Sequence, residues 1–229
     1  MWVVSGNHEV RLSQESPDRI AHLPSFRYPV AELLQENIQD PSMGTGSSSA
    51  WTLAVACSLV VRGGRHTAGR EGYEAFSEEM KRITNRSQTL LELAQGLIDQ
   101  EAAAHGRLIE ALNLPQASPD EVEIRRGCLQ AALKQAAHVH LSGAQTAVET
   151  QGLAESVFRY GTPVVKTDSA LAIRLAAVAL EGFTSLALEQ LEGAIDDGWA
   201  QDLRTRLEQL RAPSHELDAE ASRHLWQSV

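Results

Sequence analysis

The stretch Asp40-Pro41-Ser42-Met43-Gly44-Thr45-Gly46-Ser47-Ser48-Ser49-Ala50-Trp51 passes from small turn-forming residues straight into an apolar run that continues to Val61. Gly44 and Gly46 are able to take positive φ and let a ligand approach the backbone. Ser47, Ser48 and Ser49 are each acceptable helix N-caps. The first turn of the helix that follows carries unpaired N–H groups and partial positive charge, which suits an anion or a polarised carbonyl. The plainer reading is a loop and an ordinary capped helix.

Working outward, the chain reads as helix after helix. The run from Ser47 to Val61 is apolar almost all round, as in a helix buried in a core or a subunit interface. Arg62-Gly63-Gly64-Arg65 is expected to end it. Before it, Val30 to Ile38 reads as a short amphipathic helix with Val30, Leu33, Leu34 and Ile38 on one face. A long helix is expected from Glu71 to Leu112, with Gly96 and Gly106 marking close contacts or a bend. Ser118-Pro119-Asp120-Glu121 is a strong helix start, a cap followed by proline and acids. That helix should run to Phe158, bending near Gly143. Another starts near Thr167-Asp168-Ser169 and runs to Ile195. After the turn Asp196-Asp197-Gly198, residues 199–211 and 214–227 read as two further helices. No stretch alternates with period two for long enough to predict a strand. The expected fold is all-α, an up-and-down antiparallel bundle over residues 30–229. Residues 1–29 hold Pro17, Pro24 and Pro29 and read as an irregular N-terminal extension.

The 229 residues are 43% hydrophobic but only 5% aromatic, which favours helices packed through small and aliphatic side chains. A net charge of −10 without a basic run argues against nucleic acid or an anionic membrane as partner. No apolar stretch is expected to reach the roughly 20 residues that span a bilayer. No secretory signal is visible. Cys57 and Cys128 both lie in apolar helical surroundings and read as buried free thiols of a reducing, cytoplasmic compartment.

The order of motifs carries a resemblance. Asp40 to Ser47 resembles the Asp-Pro-Thr-Pro-Gly-Gly-Gly-Ser start of the cyclodeaminase/cyclohydrolase family, which includes the formiminotetrahydrofolate cyclodeaminase domain and the methenyltetrahydrofolate cyclohydrolases. The second proline and the middle glycine are absent here. Leu97-Ile98-Asp99-Gln100-Glu101-Ala102-Ala103-Ala104-His105 resembles the family's Leu-Ile-Asp-Glu-Asp-Ala-x-Ala-Phe, with Glu101 for aspartate and His105 for phenylalanine. Arg125 to Val148 is similar to the family's central helix, with His140 where a proline is usual. Thr162 to Ala170 resembles the break before its last alanine-rich helix. The resemblance covers residues 31–211.

It implies one of two reactions. In one, N10 of a reduced folate attacks the formimino carbon on N5 and ammonia leaves. In the other, water adds to the methenyl carbon and the ring opens. Both need a group that moves protons and a carboxylate beside developing positive charge. The resemblance implies a tetrahydrofolate derivative as substrate, no tightly bound cofactor, no metal, and a homodimer built on the helices at 47–61 and 168–195. The candidate catalytic residues are Glu101 and Asp168, to which the resemblance points, and His105, where this sequence departs from the family; the candidate substrate-binding residues are Gly44, Thr45, Gly46, Ser47 and Lys166. His105 lies four residues beyond Glu101 on the same helix face, as a proton-transfer pair requires. Asp99, two residues from Glu101, points away from it.

Each residue also has a plainer reading. Glu101 and His105 could be solvated helix side chains, Asp168 a cap, and Lys166 and Arg174 solvent-facing cations. His138 and His140, two apart on a helix, do not share a metal. The alternatives in function are a cyclising, deaminating or imine-processing enzyme that has left folate, or a binding protein without catalysis.

Overall fold

A computed structural model describes residues 30–39, 44–194 and 196–227. The expected extension at 1–29 and the Asp40–Met43 part of the opening motif lie outside these. The described residues form α1 (Val30–Gln39), α2 (Thr45–Thr67), α3 (Ser77–Leu112), α4 (Pro119–Tyr160), α5 (Lys166–Glu192) and α6 (Asp197–Gln227), with 3-10 turns at Glu74–Phe76 and Pro163–Val165. There is no strand among them, as the absence of period-two alternation predicts.

Pairwise contacts give the topology. Gly46 of α2 meets Glu101 of α3, and Gly64 meets Thr84, so these helices are antiparallel. Ser49 meets Gly182, and Gly63 meets Ser169, so α2 and α5 are antiparallel too. Helices α3 and α4 are bridged by Arg86–Glu149, and α5 and α6 by Arg174–Asp218. One apolar cluster joins Leu53, Leu97, Ile98, Leu141, Leu180, Phe183 and Leu207; a second, towards the other end, joins Val60, Met80, Ile83, Val157 and Ile173.

Small residues set the helix spacing. A Cβ on Gly143 would lie 2.6–2.7 Å from three ring carbons of Phe183, which is fully buried. Helix α4 runs through Gly143 without interruption, so that glycine marks the seat of an aromatic ring. Gly63 and Gly64 do not end α2, which continues to Thr67. A Cβ at Gly63 would strike Val157, and one at Gly64 would strike Thr84. Helix-breaking propensity of about 1 kcal/mol per glycine is outweighed here by close packing. The chain turns instead at Gly69 and Gly72, whose φ values are 74° and 82°.

The start of α4 matches expectation. Ser118 Oγ accepts from the Glu121 amide, and Glu121 accepts from the Ser118 amide at 3.0 Å, a complete capping box. The C-terminal region differs from expectation: residues 197–227 are one helix with Pro213 inside. The buried Gln151 donates to Ser214 O and Ile173 O, both at 3.3 Å, which clamps α6 to α4 and α5 beside the proline. Two further readings change. Cys128 is exposed, and only Cys57 is buried. Pro163–Glu192 is long and apolar enough to cross a bilayer by length and composition, contrary to the reading of the sequence, but half of its apolar window is buried in the bundle. On α1, Val30, Leu34 and Ile38 are exposed.

Gly143→Ala should lower stability by about 1–2 kcal/mol, the overpacking term exceeding the gain in helix propensity. That corresponds to a fall in Tm of about 3–6 °C. Gly152→Ala, where an added Cβ meets nothing within 4 Å, should raise stability by about 0.5–1 kcal/mol. Thermal melts of the two variants check the pair.

Candidate active site

The start of α2 does not form the turn that its composition suggests. The helix begins at Thr45 with Gly44 as N-cap, and among the described residues no side chain caps it. Ser48 N donates to Gly44 O at 3.1 Å. Ser47, Ser48 and Ser49 are therefore all within the helix. Among the described residues neither Gly44 nor Gly46 has positive φ. What requires the glycine at 46 is close approach: a Cβ there would overlap Cδ and Oε1 of Glu101. On the other side, a Cβ on Gly182 would overlap Ser49 Oγ and lie 3.6 Å from Thr45 Cγ2. The first turn of α2 is thus held between Glu101 of α3 and Gly182 of α5.

Glu101 is the centre of this end of the bundle. Its side chain is 13% exposed, and Oε2 lies 2.8 Å from Nε2 of His140, which is 2% exposed. The carboxyl sits beside the helix turn whose free N–H groups carry partial positive charge, an arrangement favourable to a carboxylate by about 0.3–1 kcal/mol. A hydrogen bond between imidazole and carboxylate in a water-poor site is stronger than the same bond in water. Ser47, next to Gly46, is 2% exposed, and its Oγ has no partner among the described residues.

The other expected site residues are placed as follows. Asp99 is exposed, on a different face from Glu101, as the spacing requires. His105 is half-buried, but the imidazole bonded to Glu101 belongs to His140 of the neighbouring helix, 39 positions along the chain. Asp168 pairs with Arg62 at 3.4 Å. Arg62 is sixteen residues beyond Gly46, about 24 Å along the helix at 1.5 Å per residue. Within one chain, Asp168 and Glu101 therefore belong to opposite ends of α2. Lys166 lies at Asp168's end, its Nζ 5.6 Å from the Phe158 ring. Arg174 is engaged by Asp218 at 3.3 Å. His138 is exposed while His140 is buried, so the two do not converge. Among the described residues no three His, Cys, Asp or Glu side chains are grouped as a metal would need.

His140 is the partner of Glu101 that spacing rules miss. Its signal was a substitution in the resemblance, histidine for proline, paired with a second substitution at 101. Neither alone indicates that the two side chains meet.

Fold and geometry define a helical bundle in which a carboxyl–imidazole pair is enclosed at a helix start. The chain belongs to the formiminotransferase-cyclodeaminase family, whose sequence pattern matches residues 30–209. It is 26% identical over 167 residues to the formimidoyltransferase-cyclodeaminase of Sus scrofa, a match that covers 73% of this chain and 31% of that protein. It is 26% identical over 178 residues to the methenyltetrahydrofolate cyclohydrolase of Methylorubrum extorquens, covering 78% of this chain and 86% of that one. The chain thus spans about a third of the pig protein. In fold it is similar to the crystal structure of formiminotetrahydrofolate cyclodeaminase from Thermotoga maritima, with a TM-score of 0.77, 21% identity, and coverage of 86% of this chain and 96% of that one.

The thiol nearest the core is not a nucleophile. Cys57 Sγ lies 3.3 Å from Thr150 Oγ1, and burial pushes its pKa from 9.0 up to about 11. It therefore stays a protonated, buried thiol through the neutral range. Thiol titration of the native protein should label Cys128 alone at pH 8, with Cys57 appearing only after denaturation. Labelling of Cys57 in the folded protein would contradict the packing described here.

Proposed function

We propose that this chain catalyses proton-transfer chemistry at the one-carbon unit held between N5 and N10 of a reduced folate, as a cyclodeaminase or a cyclohydrolase. The observation that carries this reading is the seating of the Glu101 carboxyl against Gly46 at the start of α2, within the residues the family pattern covers. The names of the relatives add support, since both reactions act on the same carbon.

In the cyclodeaminase direction, N10 adds to the amidine carbon and gives up a proton. The leaving nitrogen gains a proton, and ammonia departs as a ring nitrogen's lone pair forms the C=N bond of the methenyl bridge. In the cyclohydrolase direction, water adds to the methenyl carbon and loses a proton, and the bond to N5 breaks. Glu101 accepts and returns the proton in either case, and as a carboxylate it stabilises the cationic carbon. The first turn of α2, Gly44 to Ser47, borders the substrate. Asp168 and Lys166, about 24 Å away along the helix, reach the same substrate only from a second copy of the chain or through a long folate tail.

A homodimer in the cytoplasm belongs to this reading. Val55 of α2 and Leu171 and Val178 of α5 are 49%, 42% and 58% exposed on adjacent helices, an apolar surface that a second copy would cover. The two free cysteines suit a reducing compartment.

Calorimetry with tetrahydrofolate and 5,10-methenyltetrahydrofolate tests the reading. Micromolar binding of either is expected, with loss of methenyl absorbance separating hydrolysis from deamination. Glu101→Gln should keep binding within about tenfold and lower kcat by at least about 100-fold, the usual scale for a general acid–base residue. No binding of either folate would remove the substrate class.

A second prediction concerns the assembly. Sedimentation should give twice the 24.9 kDa chain mass, and Val178→Glu should give the single mass. A monomeric wild type at micromolar concentration would end the dimer reading.

A further inference from the structure

The two oxygens of Glu101 have different surroundings. Oε2 is bound by His140 Nε2 at 2.8 Å, and Oε1 lies where a Cβ on Gly46 would be. The other ring nitrogen of His140, Nδ1, is fully buried and has no partner among the described residues. That asymmetry assigns the ring's protons. An unpaired buried N–H is costly, whereas an unpaired lone pair on the same atom is less so. The arrangement that leaves no N–H unpaired is a neutral ring with its proton on Nε2, donated to Glu101.

We infer that His140 is a positioning residue for Glu101: a fixed Nε2–H donor that holds Oε2 and presents Oε1 at the start of α2. This rests on the reading of Glu101 as the proton-transferring group. The chemical need is specific to this chain. Where the resemblance has aspartate at 101, a glutamate adds a methylene and one more rotatable bond. The carboxyl can then swing by about 1 Å, a misplacement that costs on the order of 100-fold in rate. A buried imidazole on α4 removes that freedom. The three residues come from three helices: Gly46 leaves the space, Glu101 fills it, and His140 fixes the angle. Among the described residues Nδ1 has no partner, so the role assigned to His140 is to hold the carboxylate.

The inference separates His140 from a core residue that merely packs. Glutamine places its amide nitrogen close to where histidine has Nε2, so H140Q keeps the donor and H140F keeps only the volume. In turnover of 5,10-methenyltetrahydrofolate or 5-formiminotetrahydrofolate, whichever the wild type uses, H140F should lose about 100-fold in kcat with KM within about threefold, and H140Q should recover to within about tenfold of wild type. Equal losses in both variants, or full activity in H140F, would overturn the inference.

A second readout does not depend on turnover. In ring-nitrogen NMR of the wild type, His140 should appear as the neutral Nε2–H tautomer. In carboxyl-carbon NMR, the Glu101 resonance should move in H140F and return towards its wild-type position in H140Q. A protonated Nδ1, or a Glu101 resonance that ignores His140, would overturn the tether. If the wild type turned over neither folate while both spectra came out as expected, the substrate reading would fall and the tether would stand.

Discussion

A carboxylate pressed against a helix start is the constraint on which this end of the molecule depends. Glu101 occupies space that only a glycine at 46 leaves open. It is nearly enclosed, and the imidazole of His140 on α4 compensates it. Removing either side chain leaves the other without that partner. The same contact fixes α2 relative to α3, and α4 relative to α3, so the site and the bundle are specified together.

The rest of the fold follows the same rule of close approach through small residues. Gly63 and Gly64 let α2 lie against α4 and α3, Gly143 seats the Phe183 ring, and Gly182 admits Ser49. Alanines fill much of the remaining interior, among them Ala137, Ala144, Ala147, Ala176, Ala179 and Ala187. A chain with so few aromatics builds its core by bringing backbones together. The cost is intolerance: added methyls at these positions have nowhere to go. It also explains why long helices persist through glycines that would weaken an isolated helix.

Much of this was legible in the sequence, and the failures share a cause. The helix start at Ser118-Pro119-Asp120-Glu121 is local chemistry, read directly from four residues. The all-α fold follows from periodicity. Glu101 was reached through the resemblance, and its separation from Asp99 through helix geometry. What spacing could not supply was anything decided between helices. Gly63-Gly64 looks like a stop until Val157 and Thr84 are brought against it. Pro213 looks like a boundary until Gln151 clamps the backbone beside it. His105 is the neighbour that an i,i+4 rule offers Glu101, whereas the neighbour it has comes from α4. Asp168 and Lys166 stand out in the resemblance, but antiparallel packing of α5 on α2 carries them to the end marked by Arg62.

The most direct measurement is a crystal structure of the protein with 5,10-methenyltetrahydrofolate or tetrahydrofolate bound. The account predicts the one-carbon position within hydrogen-bonding reach of Glu101 at Oε1, beside Gly46, with Oε2 still bound to His140. A folate seated at the Arg62–Asp168 end, away from Glu101, would contradict it.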